Sequence, residues 1–288
     1  MEDAGVSRGQ LNEPPGASRS TLLFESQYLS IHAVTLGGGP EVVQRVGAGR
    51  ANAYSGQGPW NYGLDDYDWY AVQIVATEPG KDEPVGGLRV GFGDLILREV
   101  GLPGLYLSHF YDFTPEASEA FCKIAEYGRV WVDPQHPRSL GVLYGLLQAL
   151  CNLVDRAGDY LGVCGTISLL DYPTASRELV AGYLRANHPW RSPLIQPLYP
   201  ISAYTPDPTA EVDESPPRSR KLHEVSRALK SVDKDRRLPP SLHIYLRHGA
   251  RLLGDVGLDQ SGRKLVVPLY MSLGELQIET QRMAALAG

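Results

Sequence analysis

Two hydrophobic periodicities alternate along the chain after residue 20. Stretches in which β-branched and aromatic residues predominate are typical of strands, and they cover residues 28–36, 69–77, 85–92, 127–132, 161–170 and 264–270. Stretches with apolar residues three and four positions apart are typical of helices, and they cover residues 40–54 (with a loop at the end), 114–125, 139–154, 174–187, 220–231 and 240–253. This order predicts an α/β (or α+β) chain with a mixed sheet and helices on both faces.

The segment from Leu140 to Val154 is the most apolar part of the chain. Gln148 and Asn152 interrupt it, so it falls short of the roughly 18 consecutive apolar residues of a membrane-spanning helix. Its apolar residues follow the helical period and also occupy the other faces, which predicts a core helix nearly surrounded by protein. Ser139 precedes this segment and belongs to a residue type that caps helices, so we expect it to be the cap.

Length and composition suggest how the chain is divided. It has 288 residues, of which 43% are hydrophobic and 21% charged, enough for one large domain or two small ones. The first 20 residues lack the basic and apolar regions of a secretory signal, which predicts a disordered leader on a cytoplasmic protein. We expect a core over 21–204, an acidic Pro-rich loop over 205–218 and a C-terminal extension over 219–288 packed on the core.

Charge and cysteine content narrow the classes of partner. The net charge of −6 argues against nucleic acid and against general binding to anionic membranes, although local contact with a membrane surface stays open. Basic residues cluster between Arg218 and Arg237, as a solvated helix face or as a docking surface for an acidic protein. The three cysteines, Cys122, Cys151 and Cys164, match no zinc spacing, so we expect buried reduced thiols and no bound metal.

Several charged residues lie in or beside the predicted strands. These strands are otherwise apolar, and their burial does not require charged side chains. They are Asp65, Asp68, Arg89, Glu126 and Arg129. Buried charges are costly unless they are paired, so a group of them indicates either an active site or a structural ion-pair network. Asp65 and Asp66 also suit a simple turn, in which Asp is favoured.

The order and spacing of these residues resemble the signature of the acyl-homoserine lactone synthases. The matching positions are Arg50, Tyr54, Trp60, Asp65, Asp68, Arg89, Glu126 and Arg129. The resemblance implies the GCN5-related acyltransferase fold, in which a distorted central strand splays from its neighbour. Backbone N–H groups of Val130, Trp131 and Val132 would then be available to polarise a thioester carbonyl and hold the oxyanion.

A second resemblance covers the end of the chain. The segment from Leu238 to Leu276, together with the one starting at Gly104, is similar to the ornithine-lipid acyltransferases and their hemolysin-named relatives. That resemblance implies a bacterial enzyme that moves a fatty acyl group from an acyl-carrier-protein or acyl-CoA thioester to an amine. The amine would be of ornithine or lysine type, free or in a peptide or lipid, and no cofactor would be bound permanently. The alternatives are an acyl-homoserine lactone synthase, with S-adenosylmethionine as acceptor, and a non-catalytic acyl-carrier or lipid-binding protein.

Roles follow for the matching residues. We expect Asp65, Asp68 and Glu126 to bind the ammonium group next to Arg129, with Glu126 as the general base. Arg50, Tyr54 and Trp60 would contact substrate, and Tyr183 would protonate the leaving thiolate. A regular strand sends Glu126 and Arg129 to opposite faces. A shared pocket therefore requires either a bulge near Gly128 or a strand that begins after Glu126.

The donor would lie at the start of the long helix. We expect the phosphate of the acyl-phosphopantetheine arm or of CoA at its first turn, with Arg138, Ser139 and Gly141, and Arg89 on the donor side. The acetyl-CoA loop of ordinary acetyltransferases survives only as Arg138-Ser-Leu-Gly141, which predicts acyl groups longer than acetyl. The acyl chain would run beside Trp131 and the long helix.

Overall fold

The computed structural model describes residues 20–36, 40–54, 63–189, 193–201, 222–234, 237–247 and 249–277. Trp60, the predicted loop 205–218 and residues 1–19 of the predicted leader lie outside these ranges. The chain forms two compact units, one made of Met1–Tyr106, Phe121–Val163 and Leu273–Gly288, the other of Leu107–Ala120 and Cys164–Ser272. The boundaries predicted from the sequence stay a prediction.

The secondary-structure elements follow one another with short connections. The strands are β1 Ser20–Glu25, β2 Ser30–Thr35, β3 Val72–Thr77, β4 Pro84–Phe92, β5 Tyr111–Phe113, β6 Ile124–Val132, β7 Gly162–Leu170, β8 Ile195–Pro197, β9 Arg251–Leu252, β10 Gly257–Leu258 and β11 Lys264–Ser272. The α-helices are α1 Pro40–Tyr54, α2 Gly93–Glu99, α3 Ala117–Phe121, α4 Ser139–Ala157, α5 Thr174–Asn187, α6 Leu222–Val232 and α7 Pro240–Arg247. Short 3-10 helices cover Asp66–Tyr70, Leu102–Gly104 and Tyr106–His109.

The sheet of the first unit has the strand order β1-β2-β3-β4-β6, with antiparallel neighbours. Two adjacent glycines of β4 show what covers its faces. A Cβ on Gly86 would meet Val142 of α4, whereas a Cβ on Gly87 would meet the indole of Trp131, which also lies against α1. Because successive residues of a strand point to opposite faces, α4 and α1 cover opposite faces of the sheet. The predicted α/β class with helices on both faces is confirmed.

The second unit contains two groups of strands. β7, β11 and β10 are neighbours in that order, β9 pairs with β11, and β5 pairs with β8. The phenol of Tyr111 in β5 donates to the carbonyl of Val266 in β11 over 2.9 Å, which joins the two groups. α5 packs against α6. Among the residues that the structure describes, none of the helices has both the length and the apolar content that a membrane crossing requires.

Three boundary predictions are wrong for identifiable reasons. The helix predicted over 114–125 is limited to α3, because β6 begins at Ile124, where it pairs with the end of β4. The helix predicted over 240–253 ends at Arg247, because residues 251–252 pair with β11. Ser139 is not the cap of α4: Arg138 occupies the cap position, without a side-chain bond to the helix.

One of the three cysteines is not buried as predicted. Cys151 and Cys164 are buried, as predicted. Cys122 is exposed, because it follows the last residue of α3 in a turn before β6. Its apolar sequence neighbours are buried by the elements on either side, and the turn itself faces solvent.

Close packing of α1 on Trp131 leads to a first prediction. A Cβ at Gly49 would lie 2.3 Å from the indole of Trp131, so Gly49→Ala should destabilise the fold by roughly 1–3 kcal/mol through overpacking. Gly47 in the same helix has its nearest contact at 3.7 Å, so Gly47→Ala should stabilise by up to about 1 kcal/mol through helix propensity. Denaturant unfolding of both variants checks this, and equal effects would contradict the packing.

Candidate active site

The central strand β6 carries a bulge. Gly87 of β4 faces Trp131, but Arg89 faces Gly128, so the one residue between them in β4, Leu88, is opposite two residues of β6, Arg129 and Val130. Arg129 lies in this bulge with a φ of 51°. This value falls in the left-handed region, which residues other than glycine rarely adopt. The hydroxyl of Tyr54 in α1 donates to the carbonyl of Val130, the next residue of the bulge. The bulge predicted near Gly128 is confirmed, although the left-handed residue is Arg129.

Asp65 lies where two arginines meet. It caps the 3-10 helix Asp66–Tyr70 by accepting from the amide of Tyr67. One carboxylate oxygen accepts from Arg89 Nη1 at 2.5 Å. The other accepts from Arg129 Nε at 3.0 Å and from Arg129 Nη2 at 2.5 Å. A single carboxylate therefore fixes one guanidinium from β4 and one from the bulge of β6.

Asp68 forms the buried counterpart of this arrangement. Arg50 of α1 donates to both of its oxygens, at 2.8 and 3.0 Å, and both side chains are 0% exposed. Gln73 of β3 donates to Asp68 at 3.1 Å and accepts from Arg50 at 3.1 Å. The amide of Asp65 donates to the same carboxylate at 2.8 Å. Buried charges with this degree of hydrogen bonding are stable where isolated ones are not.

Tyr106 links the arginines to Glu126. Its ring centroid lies 5.2 Å from the guanidinium carbon of Arg89 and 5.2 Å from that of Arg129, within the range of cation–π contacts. Its backbone amide donates to the Glu126 carboxylate at 2.7 Å. Tyr67 meets the Tyr106 ring edge-on, with centroids 5.4 Å apart. Glu126 and Arg129 therefore contact the same residue from β6.

The charges of this group shift one another's ionisation. Burial raises the pKa of Asp65, but the guanidinium groups of Arg89 and Arg129 outweigh it and hold that pKa below its ordinary value. A carboxylate with a depressed pKa contributes stability that is fully present above the unfolded pKa of about 3.9 and is lost as the pH falls through the folded pKa. Burial raises the pKa of the Tyr106 phenol, against the opposing effect of the two arginines.

The structure brings together most of the residues predicted for the site. Arg50, Asp65, Asp68, Arg89 and Arg129 form one hydrogen-bonded network, and Glu126 joins it through Tyr106. The predicted binding of ammonium by Asp65 and Asp68 needs correction, because arginines occupy the oxygens of both carboxylates. Asp68 in addition is completely buried. Trp60 lies outside the described residues.

Other predicted residues lie elsewhere. Tyr183 belongs to the second unit, where it is 1% exposed and its hydroxyl lies 3.4 Å from His188 Nε2; burial raises the pKa of Tyr183. Arg138, Ser139 and Gly141 lie at the start of α4, and the Arg138 guanidinium lies 3.7 Å from the ring centroid of Tyr28. An acyl chain cannot run beside both Trp131 and α4, because the two lie on opposite faces of β4.

Sequence reasoning missed Tyr106 and Gln73. Gln73 is 1% exposed and completes the bonding of Asp68; a buried amide inside the predicted strand 69–77 was the available signal. Tyr106 stands in the segment from Gly104 that carried the second resemblance, but no spacing rule connects it to Glu126. Within the described ranges, no group of His, Cys, Asp and Glu side chains is arranged to hold a metal ion.

Comparison with known proteins gives structural similarity only. No protein-family model matches the chain, and no curated protein matches its sequence. The chain is similar to the CoA-dependent acyl-homoserine lactone synthase BjaI with SAM and isopentyl-CoA, at 13% identity and a TM-score of 0.45 over 89% of this chain and 90% of that one. The synthase MesI matches at 16% identity and 0.43, over 90% and 96%. The aminoglycoside 6'-N-acetyltransferase from Enterococcus faecium matches at 12% and 0.41, over 84% and 96%.

The buried pair leads to a second prediction. Asp68→Asn leaves the Arg50 guanidinium without its carboxylate, so it should destabilise the protein by roughly 3–5 kcal/mol. Asp66→Asn in the same 3-10 helix changes an exposed residue and should stay within about 0.5 kcal/mol of the wild type. Urea unfolding compares the two variants. Similar stabilities would show that the Arg50–Asp68 pair does not hold the turn.

Proposed function

We propose that the chain is an N-acyltransferase that moves a fatty acyl group from an acyl-carrier-protein or acyl-CoA thioester to an amine of ornithine or lysine type. The observation that carries this proposal is that Glu126 and the bulge of β6 both lie next to Tyr106. The Glu126 carboxylate accepts from the Tyr106 amide, and the guanidinium groups of Arg89 and Arg129 contact the Tyr106 ring, with Arg129 in the bulge. Strained backbone held in place by surrounding ion pairs is typical of functional sites.

The proposed reaction uses these groups in order. Glu126 takes the proton of the amine, whose nitrogen then forms a bond to the thioester carbonyl carbon. The oxyanion that develops requires preorganised N–H donors. The carbon–sulfur bond breaks, the amide is released, and the thiolate leaves and takes up a proton from water. Asp65 acts as a positioning residue, since it orients Arg89 and Arg129.

We propose that the backbone amides of Val130, Trp131 and Val132 are the oxyanion donors. The amide of Asp133, the next residue, donates to Val85 at 2.9 Å and is therefore not one of them. The Val130 carbonyl is bound by Tyr54, which fixes the orientation of the bulged peptide. We propose that Arg138, Ser139 and Gly141 bind the donor phosphate at the first turn of α4.

Acyl-homoserine lactone synthesis is the second candidate. It is favoured by one observation: the residues of that signature within the described ranges converge in space, with Arg50, Asp65, Asp68, Arg89 and Arg129 in a single network. Both candidates share the acyl-transfer step and differ in the acceptor. Incubation of one acyl thioester with S-adenosylmethionine, ornithine and lysine, followed by mass spectrometry, separates lactone from simple amide. A non-catalytic acyl-binding protein would retain the thioester unchanged.

The role of Glu126 leads to a third prediction. Glu126→Gln keeps an oxygen that can accept from the Tyr106 amide but cannot take the proton of the amine. The single-turnover acylation rate should therefore fall by about 10²–10⁴-fold, with a melting temperature near that of the wild type. Raising the pH should restore part of the rate, because a neutral amine needs no base. Glu119→Gln, at an exposed position of α3, is the matched control and should retain the full rate. Full activity of Glu126→Gln would exclude it as the base.

Donor length provides a fourth prediction. The helix start that would hold the donor keeps only part of the acetyl-CoA loop, so acyl groups longer than acetyl should be preferred. A series of donors from acetyl to long-chain acyl, on carrier protein and on CoA, should show kcat/KM rising with length. Transfer of acetyl as efficiently as of long chains would contradict the proposed donor class while leaving acyl transfer itself intact.

A further inference from the structure

Two arginines of the network have N–H groups that the network does not use. Arg89 bonds to Asp65 through Nη1, and Arg129 bonds to the same carboxylate through Nε and Nη2. Within the described part of the chain, Nε and Nη2 of Arg89 and Nη1 of Arg129 have no hydrogen-bond partner. A guanidinium group has five N–H donors and no acceptor. Both arginines can therefore still bind an anionic group.

The unused N–H groups are not sealed inside the protein. The completely buried nitrogens that lack a partner among the described residues include Arg50 Nε but none from Arg89 or Arg129. The side chain of Arg89 is nevertheless only 5% exposed, and that of Arg129 is 20% exposed. Donors that are held largely out of bulk water attract an anion more strongly than exposed ones, because water screens the interaction less.

The two guanidinium groups are fixed next to each other. The two oxygens of Asp65 each bind one of them, and both Cζ atoms lie 5.2 Å from the ring centroid of Tyr106. Tyr67 places a second ring centroid 5.6 Å from Arg89 Cζ. Planar guanidinium groups match the geometry of a carboxylate, and groups that are already held in place lose less entropy when a ligand binds.

The proposed base lies on the same face of the sheet as Arg89. Glu126 of β6 is opposite Gly91 of β4, and Gly91 is two residues from Arg89. Residues two positions apart in a strand share a face, as do residues directly opposite each other on neighbouring strands. Arg89 and Glu126 are therefore diagonal neighbours, whose backbone positions are about 7–8 Å apart. A molecule of the size of an amino acid can contact both side chains.

We propose that Arg89 and Arg129 bind a free carboxylate of the acceptor, so that the acceptor is ornithine or lysine as an amino acid and not as a side chain within a peptide. The amine lies at Glu126, and the carboxylate accepts from the unused N–H groups of the two arginines. This inference rests on the proposed acyl transfer, and it assigns Arg89 to the acceptor instead of the donor. A carboxylate and an ammonium group in one molecule also leave the charge balance of the network unchanged.

Two matched pairs of small molecules test the need for the carboxylate. Lysinamide and ornithinamide keep both amines of lysine and ornithine but replace the carboxylate by a neutral amide. Calorimetry with the intact protein, without any acyl donor, should show binding of lysine or ornithine. The corresponding amide should bind at least about tenfold more weakly, because it loses charge-assisted hydrogen bonds to the guanidinium groups. Equal binding within both pairs, or no binding of either amino acid, overturns the proposal.

A variant of the bulge connects this preference to the arginines. Arg129→Gln should weaken the binding of the amino acid about tenfold and change the binding of its amide little, so that the preference for the carboxylate largely disappears. Arg98→Gln removes a 66% exposed guanidinium in α2 and is the matched control, which should keep the wild-type preference. Urea unfolding checks that both variants are folded. A folded Arg129→Gln that keeps the full preference contradicts the assignment, and the wild-type comparison decides the question without any variant.

Transfer assays separate this inference from the proposed function. A lower KM for the amino acid than for its amide, with similar kcat values, supports the carboxylate site. Equal KM values for the two acceptors overturn the site and leave acyl transfer standing. Carboxylate-dependent binding that Arg129→Gln removes, without transfer from any thioester, supports the site and overturns acyl transfer.

Discussion

The ion pair between Arg50 and Asp68 is the interaction on which the rest of the site depends. It joins α1 to the turn before β3, and both side chains are completely buried. Its oxygens and nitrogens are also bonded to Gln73, to the amide of Asp65 and to the carbonyl of Gly63. Because separating a buried pair leaves an uncompensated charge and is strongly destabilising, the turn has little freedom to move. The position of Asp65 follows from that restriction.

A fixed Asp65 in turn organises two strands. It holds Arg89 on β4 and Arg129 in the β6 bulge, and both guanidinium groups contact the ring of Tyr106. A non-glycine residue in the left-handed region costs about 1–3 kcal/mol, and the two bonds from Arg129 to Asp65 offset that cost. The charges of the network balance, with three arginines against Asp65, Asp68 and Glu126. Charged side chains of opposite sign can therefore lie together beside apolar strands.

The division of roles among the carboxylates is the main change that the structure makes to the proposed mechanism. Asp65 and Asp68 bind arginines, whereas Glu126 accepts from the backbone amide of Tyr106. The guanidinium groups of Arg89 and Arg129 are thereby held in fixed positions beside the Tyr106 ring. Glu126 is therefore the carboxylate to which we assign the base in the proposed reaction.

The sequence by itself determined the elements with strong periodicity and the identity of the charged group. α5 was predicted at its observed bounds, and the core of β4, β6 and β7 follows from their apolar runs, because burial of one face or both leaves a regular pattern. The charged residues inside apolar strands were recognisable because such positions require partners. The sequence also required either a bulge or a strand that begins after Glu126, because Glu126 and Arg129 are an odd number of residues apart and would otherwise point to opposite faces. The structure has the bulge, with Glu126 inside β6.

Only the tertiary structure determined which charged residues pair with each other and which strands are neighbours. The sequence cannot tell whether Asp68 binds an ammonium or Arg50, since the partner lies 18 residues away in α1 and the choice depends on how α1 packs. Tyr106 gains its significance from Arg89, Glu126 and Arg129, which are distant from it in the sequence. The early end of α3 and the missing Ser139 cap also depend on pairing and packing outside their own segments. Local propensity is a property of a segment, whereas ion pairing, strand pairing and the opposite faces of β4 arise from contacts between segments, and those form only when the chain has folded.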